Sequence, residues 1–429
     1  MPLFHTVLLV ALAGAIVVHP QTLVFPPYGH SYGIRKATQG HLKMFLGPFA
    51  SFEDPQGLAT AKMVSRDDPS TKKDDDEVVV YGVNSGKHQI IYNTSMWGLA
   101  SYGREGSGKD ELKFPKGITC DEKGNVYIAD WGNDRIVHLF NPQKKVEWVD
   151  ALTGKSAGDP GLKRPQQVSL TEQGWLVVSD RGNRRIVIMS PKGKIIKRIP
   201  AKGVQLFQEG PTVVAAADGS MRWSHYHKDR FFFCTDQNGR RLWKIGLDGT
   251  VIKKITLPGG HQACYGAVDY YHNIYLTDIK KHCVVKLSRH LKMLDVIGSY
   301  GKEDNQFIEP RGIAVWKRFG QTFIAEQNGA QYYWVGTKLK SKNFKPQGDS
   351  TYLLQVDVSE HSYVSLFTAV GADTSFIVKR LWIPAGPAPL EVNDTGKILN
   401  DTAHTPVLRL EPTYSSYTYY HWDFPLNYR

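Results

Sequence analysis

The sequence predicts an all-β chain: a six-bladed β-propeller closed by an N-terminal strand, then a small C-terminal β-sandwich-like module. Three observations predict it. The segment Phe114–Phe140, FPKGITCDEKGNVYIADWGNDRIVHLF, is repeated as Arg164–Met189, RPQQVSLTEQGWLVVSDRGNRRIVIM, with the same Pro, the same central Gly and the same Asp-x-Gly-Asn-x-Arg-Ile ending. A period near fifty residues with two strands around a Gly turn suits a propeller blade rather than a helical solenoid. The runs VYIAD, WLVVSD, FFFCTD, IYLTD and TFIAEQ are short, β-branched or aromatic, and almost continuously apolar. That is how strands buried on both faces of stacked sheets read.

The third observation counts the blades. The acidic or amide residue closing each second strand is Asn84, Asp130, Asp180, Asp236, Asp278 and Glu326, at steps of 46, 50, 56, 42 and 48 residues by subtraction. Each is followed by a tight turn, so the slot is structural first: its side chain can accept hydrogen bonds from turn amides. Closure is read from a second match. His290–Gly312, HLKMLDVIGSYGKEDNQFIEPRG, resembles His41–Gly57, HLKMFLGPFASFEDPQG. His41–Gly47 is therefore expected to be an outer strand completing the last blade, whose other strands are expected at Gly312–Trp316, Gln321–Ala325 and Gln331–Val335. This closure would remove an exposed sheet edge. The propeller is placed at residues 41–336, a basic and strand-poor linker at 337–350, and the C-terminal module at 351–429. The aromatic segment YSSYTYYHWDF in that module suits its core or a docking surface.

Composition bounds the partners. Lys plus Arg number 53 against 41 Asp plus Glu, for a net charge of +12, which favours an anionic ligand. Thr6–Val18, TVLLVALAGAIVV, is an uncharged apolar run too short to span a bilayer, and it reads as the core of a signal peptide over residues 1–20. The expected location is secreted, or in the cell envelope or periplasm, and no later segment reads as transmembrane. Four cysteines are few for an exported chain of 429 residues, so disulfides are not its main support. The acidic run Asp74–Glu77 reads as a hairpin tip.

The order of Pro-x-Gly, inner strand, Gly-Asn turn, second strand ending in Asp, then Asn-x-Arg-Ile resembles the NHL repeat over about residues 41 to 336. NHL-like propellers include a zinc-dependent lyase that makes peptide amides and RNA-binding regulators. In the lyase branch the resemblance implies zinc-binding His residues just before the inner strands. The matching positions here are Gln56, Lys116, Gln166, Thr212, Tyr265 and Arg311. None is His, so the resemblance implies no zinc centre of that kind, and zinc needs three N, O or S ligands plus an open position. An exported chain argues against nucleic acid; RNA binding is the third reading, should the N-terminal run not be a signal.

No Gly-x-Ser-x-Gly elbow and no catalytic set is found, and no cofactor or metal ligand set is assigned. His225 and His227, two positions apart, could chelate on one strand face, but a hairpin surface is the simpler reading. The candidate ligand-binding residues are those that lead into inner strands or leave second strands, which in a propeller share the channel-mouth face. They are Gln56, Lys116, Trp131, Gln166, Arg181, Arg240, Tyr265, Lys281 and Arg311. A cationic, amide-rich rim with an aromatic ring suits stacking and hydrogen bonding to a polysaccharide, peptide or protein partner, anionic in character. The expected function is therefore binding or scaffolding, with a hydrolase or lyase on an anionic polymer at the same face as the alternative.

Overall fold

The computed structural model describes residues 20–25, 35–66, 78–95, 98–200, 206–220, 222–348, 350–370, 373–394, 399, 405–414, 416 and 420–426. The signal-like run and the acidic run Asp74–Glu77 lie outside these residues.

Six antiparallel sheets follow one another along the chain. Sheet 1 is Pro55–Lys62, Val78–Asn84, Gln89–Ser95 and Gly98–Tyr102. Sheet 2 is Ile118–Cys120, Asn125–Asp130, Arg135–Phe140 and Glu147–Leu152. Sheet 3 is Pro165–Leu170, Leu176–Asp180, Arg185–Met189 and Ile195–Ile199. Sheet 4 is Val214–Asp218, Arg230–Thr235, Arg241–Gly246 and Val251–Thr256. Sheet 5 is Tyr265–Val268, Ile274–Asp278, Cys283–Leu287 and Met293–Ile297. Sheet 6 is Gly312–Trp316, Gln321–Glu326 and Gly329–Val335, with Leu23–Val24 and Lys36–Ala37 both pairing with its third strand.

The first strands of successive sheets touch in a closed cycle, from sheet 1 through sheet 6 and back to sheet 1. Apolar layers fill the gaps between neighbouring sheets. Ile136, Leu152, Val168 and Val178 fill the one between sheets 2 and 3; Val177, Val214, Phe232 and Trp243 fill the next. Burial on both faces explains the continuous apolar runs, each large aliphatic contributing roughly 1.5–3 kcal/mol.

The slot residues are structural, but among the described residues turn amides donate to them only at Asp236 and Asp278; in sheets 2 and 3 the donors are others. Asp130 Oδ1 accepts from the Lys113 backbone N–H at 2.7 Å, and its Oδ2 accepts from Asn133 at 2.8 Å and Arg135 Nε at 2.7 Å. Asp180 repeats this with Lys163, Asn183 and Arg185 at 2.7, 2.8 and 2.6 Å. The Asp-x-Gly-Asn-x-Arg pattern is thus a self-contained unit. A fully buried carboxylate ties the strand exit to the segment leading into its own sheet, and the Arg five residues on neutralises it.

Closure differs from the expectation in detail. His41–Gly47 is not a strand: Gln39–Leu46 is an α-helix, capped by the Thr38 side chain accepting from the His41 backbone N–H, with Leu42 buried. The closing strand is Leu23–Val24, earlier in the chain. The tetrapeptide HLKM takes two structures because an adjacent Thr cap and a burial site for Leu42 favour the helix at residues 41–44, while a strand partner receives Met293. The 337–350 linker is also corrected. Leu339–Pro346 is an edge strand paired with Thr351–Val358, its basic side chains mostly exposed. A row of Lys on an edge reads as a linker in sequence but blunts strand addition in a sheet.

Beyond residue 338 two sheets share one core. Leu339–Pro346, Thr351–Val358 and Gly386–Asn393 form one, and Ser362–Val370, Asp373–Ile383, Val407–Pro412 and Trp422–Pro425 form the other. Leu354, Val356, Leu366 and Leu408 meet between them. This unit is docked on sheets 5 and 6. Tyr414 joins the apolar layer of Tyr275 and Tyr333, and the Tyr420 hydroxyl donates to Phe25 O at 2.5 Å. At the same junction lies a fully buried ion pair, Lys286 with Glu360. Glu360 also accepts from Tyr275 at 3.2 Å and from the His361 backbone N–H at 2.7 Å. Burial alone would raise the Glu360 pKa, but Lys286 outweighs it and holds the carboxylate ionised, while burial and Glu360 push Asp269 up.

Candidate functional site

The axis of the ring has two unlike ends. At the upper face, where first strands begin and second strands end, neighbouring first strands approach closely. A Cβ on Gly57 would stand 2.6 Å from the Tyr265 hydroxyl, and one on Gly312 would collide with Gln56 O, so the Pro-x-Gly glycines are required by this neck. Two side chains then bridge the axis. The Tyr265 hydroxyl donates to Ile118 O at 3.1 Å and accepts from Ile118 N at 3.3 Å, joining sheets 5 and 2. Gln167 Nε2 donates to Gly266 O at 2.8 Å and its Oε1 accepts from Val214 N at 3.3 Å, joining sheet 3 to sheets 5 and 4. Both residues are buried.

The sequence-derived candidates fall into three groups around this neck. Gln56, Lys116 and Arg311 converge on one carboxylate, Asp54. Gln56 Nε2 donates to Asp54 Oδ1 at 2.7 Å, Lys116 Nζ lies 3.0 Å from Oδ2, and Arg311 Nη1 also binds Oδ1. Arg311 Nη2 reaches Glu309 at 2.6 Å as well. Gln166 and Arg181 form a second pair at 3.3 Å, and Trp131 stacks under the Arg164 guanidinium at 5.2 Å. Arg240 and Lys281 are exposed and separate from both groups; Lys281 Nζ donates to Gly259 O. Tyr265 is not on the rim: it is a buried cross-tie, because its hydroxyl has a backbone partner across a neck narrower than the repeat pattern alone conveys. Part of the rim charge is also internal, with Lys116 and Arg311 facing Asp54 and Glu309.

At the lower face, where first and second strands are joined, the axis widens into a cavity of about 1000 Å³. Its walls are small and apolar, from Ala59, Ala61, Ala216, Ala267 and Ala314, with Thr60 and Ser169 among them. Its outer end carries Glu122, Glu172, Lys317, Arg222 and Trp223. Loops from three sheets meet there: Trp223 Nε1 donates to Glu122, and the Arg318 guanidinium lies 4.7 Å over the Trp223 ring. Burial raises the carboxyl pKa of Glu122, and burial with nearby Asp218 raises that of Glu172. Burial lowers the Lys317 amine to about 8, against the attraction of Asp269 and Asp218.

Sequence reasoning missed this end, although a clue was present. Glu122 and Glu172 occupy the same place in the duplicated segment, two residues before the turn glycine in DEKG and TEQG. The remaining members, Arg222, Trp223 and Lys317, come from sheets 4 and 6, outside the two closely matching segments.

Other candidates resolve simply. His225 stacks on Trp382 with ring centroids 5.5 Å apart, and its backbone N–H donates to Tyr270 O. All four cysteines are free. Among the described residues one group could hold a metal ion: His261, Asp278 and Cys283, all buried, in sheet 5 and the segment leading into it. No helix among the described residues is long and apolar enough to cross a membrane.

The class defined by these features is an all-β, propeller-like protein with a ligand-sized cavity on its axis. No protein-family model matches the chain, and no curated protein matches it. Solved structures similar to it include a streptogramin B lyase at 14% identity and TM-score 0.43, covering 67% of this chain and 95% of that one. A virginiamycin B lyase from Staphylococcus aureus matches at 14% identity and TM-score 0.42, covering 60% and 77%. A gluconolactonase from Xanthomonas campestris matches at 11% identity and TM-score 0.44, covering 74% and 99%.

Proposed function

We propose that the chain is an exported, NHL-like six-bladed propeller whose blades are the six sheets, carrying a β-sandwich-like module from residue 339, and that it binds a peptide-like ligand in its axial cavity. The observation that carries this reading is the cavity itself. It is closed off on one side by Tyr265 and Gln167, has apolar walls, and presents both signs of charge at its outer end. A volume near 1000 Å³ suits a drug-sized or short oligomeric ligand. Apolar walls suit side chains, while Glu122 and Glu172 together with Lys317 and Arg222 suit a ligand carrying both an amine and a carboxylate. The upper rim, which the sequence favours for an anionic polysaccharide or envelope partner, is the weaker site because Asp54 and Glu309 already occupy Lys116 and Arg311, its two cations nearest the neck.

A second reading is favoured by one observation, the Lys317 amine at about 8 beside carboxyl groups raised by burial. An amine lowered to about 8 can exchange a proton near neutral pH, which suits a hydrolase or lyase. Calorimetric titration of the full chain with short mixed-charge peptides and with acidic oligosaccharides separates the readings. Binding of peptide abolished by Lys317→Met with Ala267→Leu, and kept by Lys116→Ala with Arg311→Ala, supports the cavity. The reverse pattern returns the site to the upper rim, and consumption of the titrant makes the protein an enzyme.

A further inference from the structure

In five sheets the slot that closes the second strand is either an uncharged residue or an acid with an Arg or Gln partner five positions on. Asp130 and Asp180 each take the Nε of an Arg five residues on. Asp236 has Arg241 at that offset, 3.8 Å away in a more open setting. Sheet 1 uses a neutral Asn84, and sheet 6 answers Glu326 with Gln331 at the same offset. Sheet 5 breaks the rule. Asp278 is buried, and the residue five positions on is Cys283, also buried. At the position of Lys113 and Lys163, seventeen residues before the carboxylate, stands His261. The guanidinium has been replaced by two side chains that ligate metals.

Their geometry favours a shared cation over a hydrogen-bonded triad. Asp278 Oδ2 lies 2.9 Å from His261 Nδ1, and Cys283 Sγ lies 3.7 Å from the same nitrogen. In a nucleophilic Cys–His–Asp arrangement the thiol and the carboxylate use opposite ring nitrogens. Here both crowd one nitrogen, which has a single in-plane position for a proton. A metal ion in that position contacts all three donors at once. Tetrahedral bonds of about 2.0–2.3 Å place ligand atoms roughly 3.3–3.7 Å apart; the 3.7 Å between Cys283 and His261 already matches, and the 2.9 Å contact of His261 with Asp278 has to open by a few tenths of an ångström to admit the ion. One nitrogen, one sulfur and one carboxylate oxygen is a donor set for zinc rather than for calcium or magnesium.

We propose that His261, Asp278 and Cys283 bind one zinc-class divalent ion, which takes the place that Arg135 and Arg185 hold in sheets 2 and 3. The ion closes the strand exit of sheet 5 and is off the axis, so it is independent of the cavity. Cys283 gives up its proton to solvent on binding and becomes the thiolate ligand.

The test is titration of the full chain, freed of metal by chelator, with Co²⁺ and then with Zn²⁺ against a chromophoric competitor. One equivalent of Co²⁺ with a thiolate-to-metal charge-transfer band, displaced by Zn²⁺, is expected. Cys283→Ser and His261→Ala should each weaken Zn²⁺ binding by about 100-fold or more, whereas Cys264→Ala should leave the band intact. Cys283→Arg restores the pattern of sheets 2 and 3 and should fold without metal, with an unfolding midpoint no longer raised by Zn²⁺. Absence of the band in the wild-type chain overturns the proposal, as does a band that survives Cys283→Ser. Should Cys283→Ser fail to fold, an unfolding midpoint that Zn²⁺ raises equally in wild type and Cys283→Arg overturns it too.

Discussion

The two ends of the axis are made from the same repeat yet do opposite things. At the upper end, glycines bring first strands together and Tyr265 and Gln167 tie them across the gap. At the lower end the same strands diverge around small side chains and leave about 1000 Å³. Charge follows the same division. At the upper end Lys116 and Arg311 are paired with Asp54 and Glu309 while Arg240 and Lys281 stay exposed; at the lower end Arg222 pairs with Glu122, and burial moves the pKa values of Glu122, Glu172 and Lys317. A rich set of polar residues in sequence therefore marks a structural latch at one end and a chemical environment at the other.

The strongest way to break this contrast is Tyr265→Ala. It removes a buried ring and both cross-axis hydrogen bonds, and we expect a loss of about 3–5 kcal/mol by denaturant unfolding. A loss below about 1 kcal/mol would show that the neck is held without it. Next comes pH dependence at the lower end. The Lys317 pKa is lowered on folding, so full stability is present above the unfolded value and is lost as pH falls toward about 8. Between roughly pH 10 and 8 the wild-type chain should lose up to about 1.4 kcal/mol per pH unit that Lys317→Met does not lose; parallel curves would count against a buried amine.

Smaller effects sharpen the contrast. Tyr265→Phe keeps the packing but leaves the Ile118 amide without its side-chain partner, for about 1–2 kcal/mol. Asp54→Asn should cost less than about 1 kcal/mol, since the carboxylate is partly exposed. It should also free Lys116 and Arg311, so that binding of an acidic polysaccharide, measured at two salt concentrations, becomes tighter and more salt-dependent than in wild type. Unchanged polyanion binding would mean that Asp54 is not what masks the rim.

The repeat was legible because its key contacts are local. Asp130, Asn133 and Arg135 lie within six residues, so their chemistry appears as a pattern. The strands of sheet 6 were placed nearly to the residue for the same reason, their turns and apolar runs being adjacent. The helix at Gln39–Leu46 and the edge strand at Leu339–Pro346 were misread because their identities depend on what packs beside them.

The sequence by itself determined the all-β character, the sixfold recurrence and the structural nature of the Asp slots, since periodicity and turn chemistry act over a few residues. Only the tertiary structure decided that Tyr265 crosses the axis, that Asp54 gathers three rim residues, and that His261 meets Cys283 beside Asp278. Most of those contacts join residues tens to hundreds of positions apart, and their geometry comes from closing the ring rather than from any local preference.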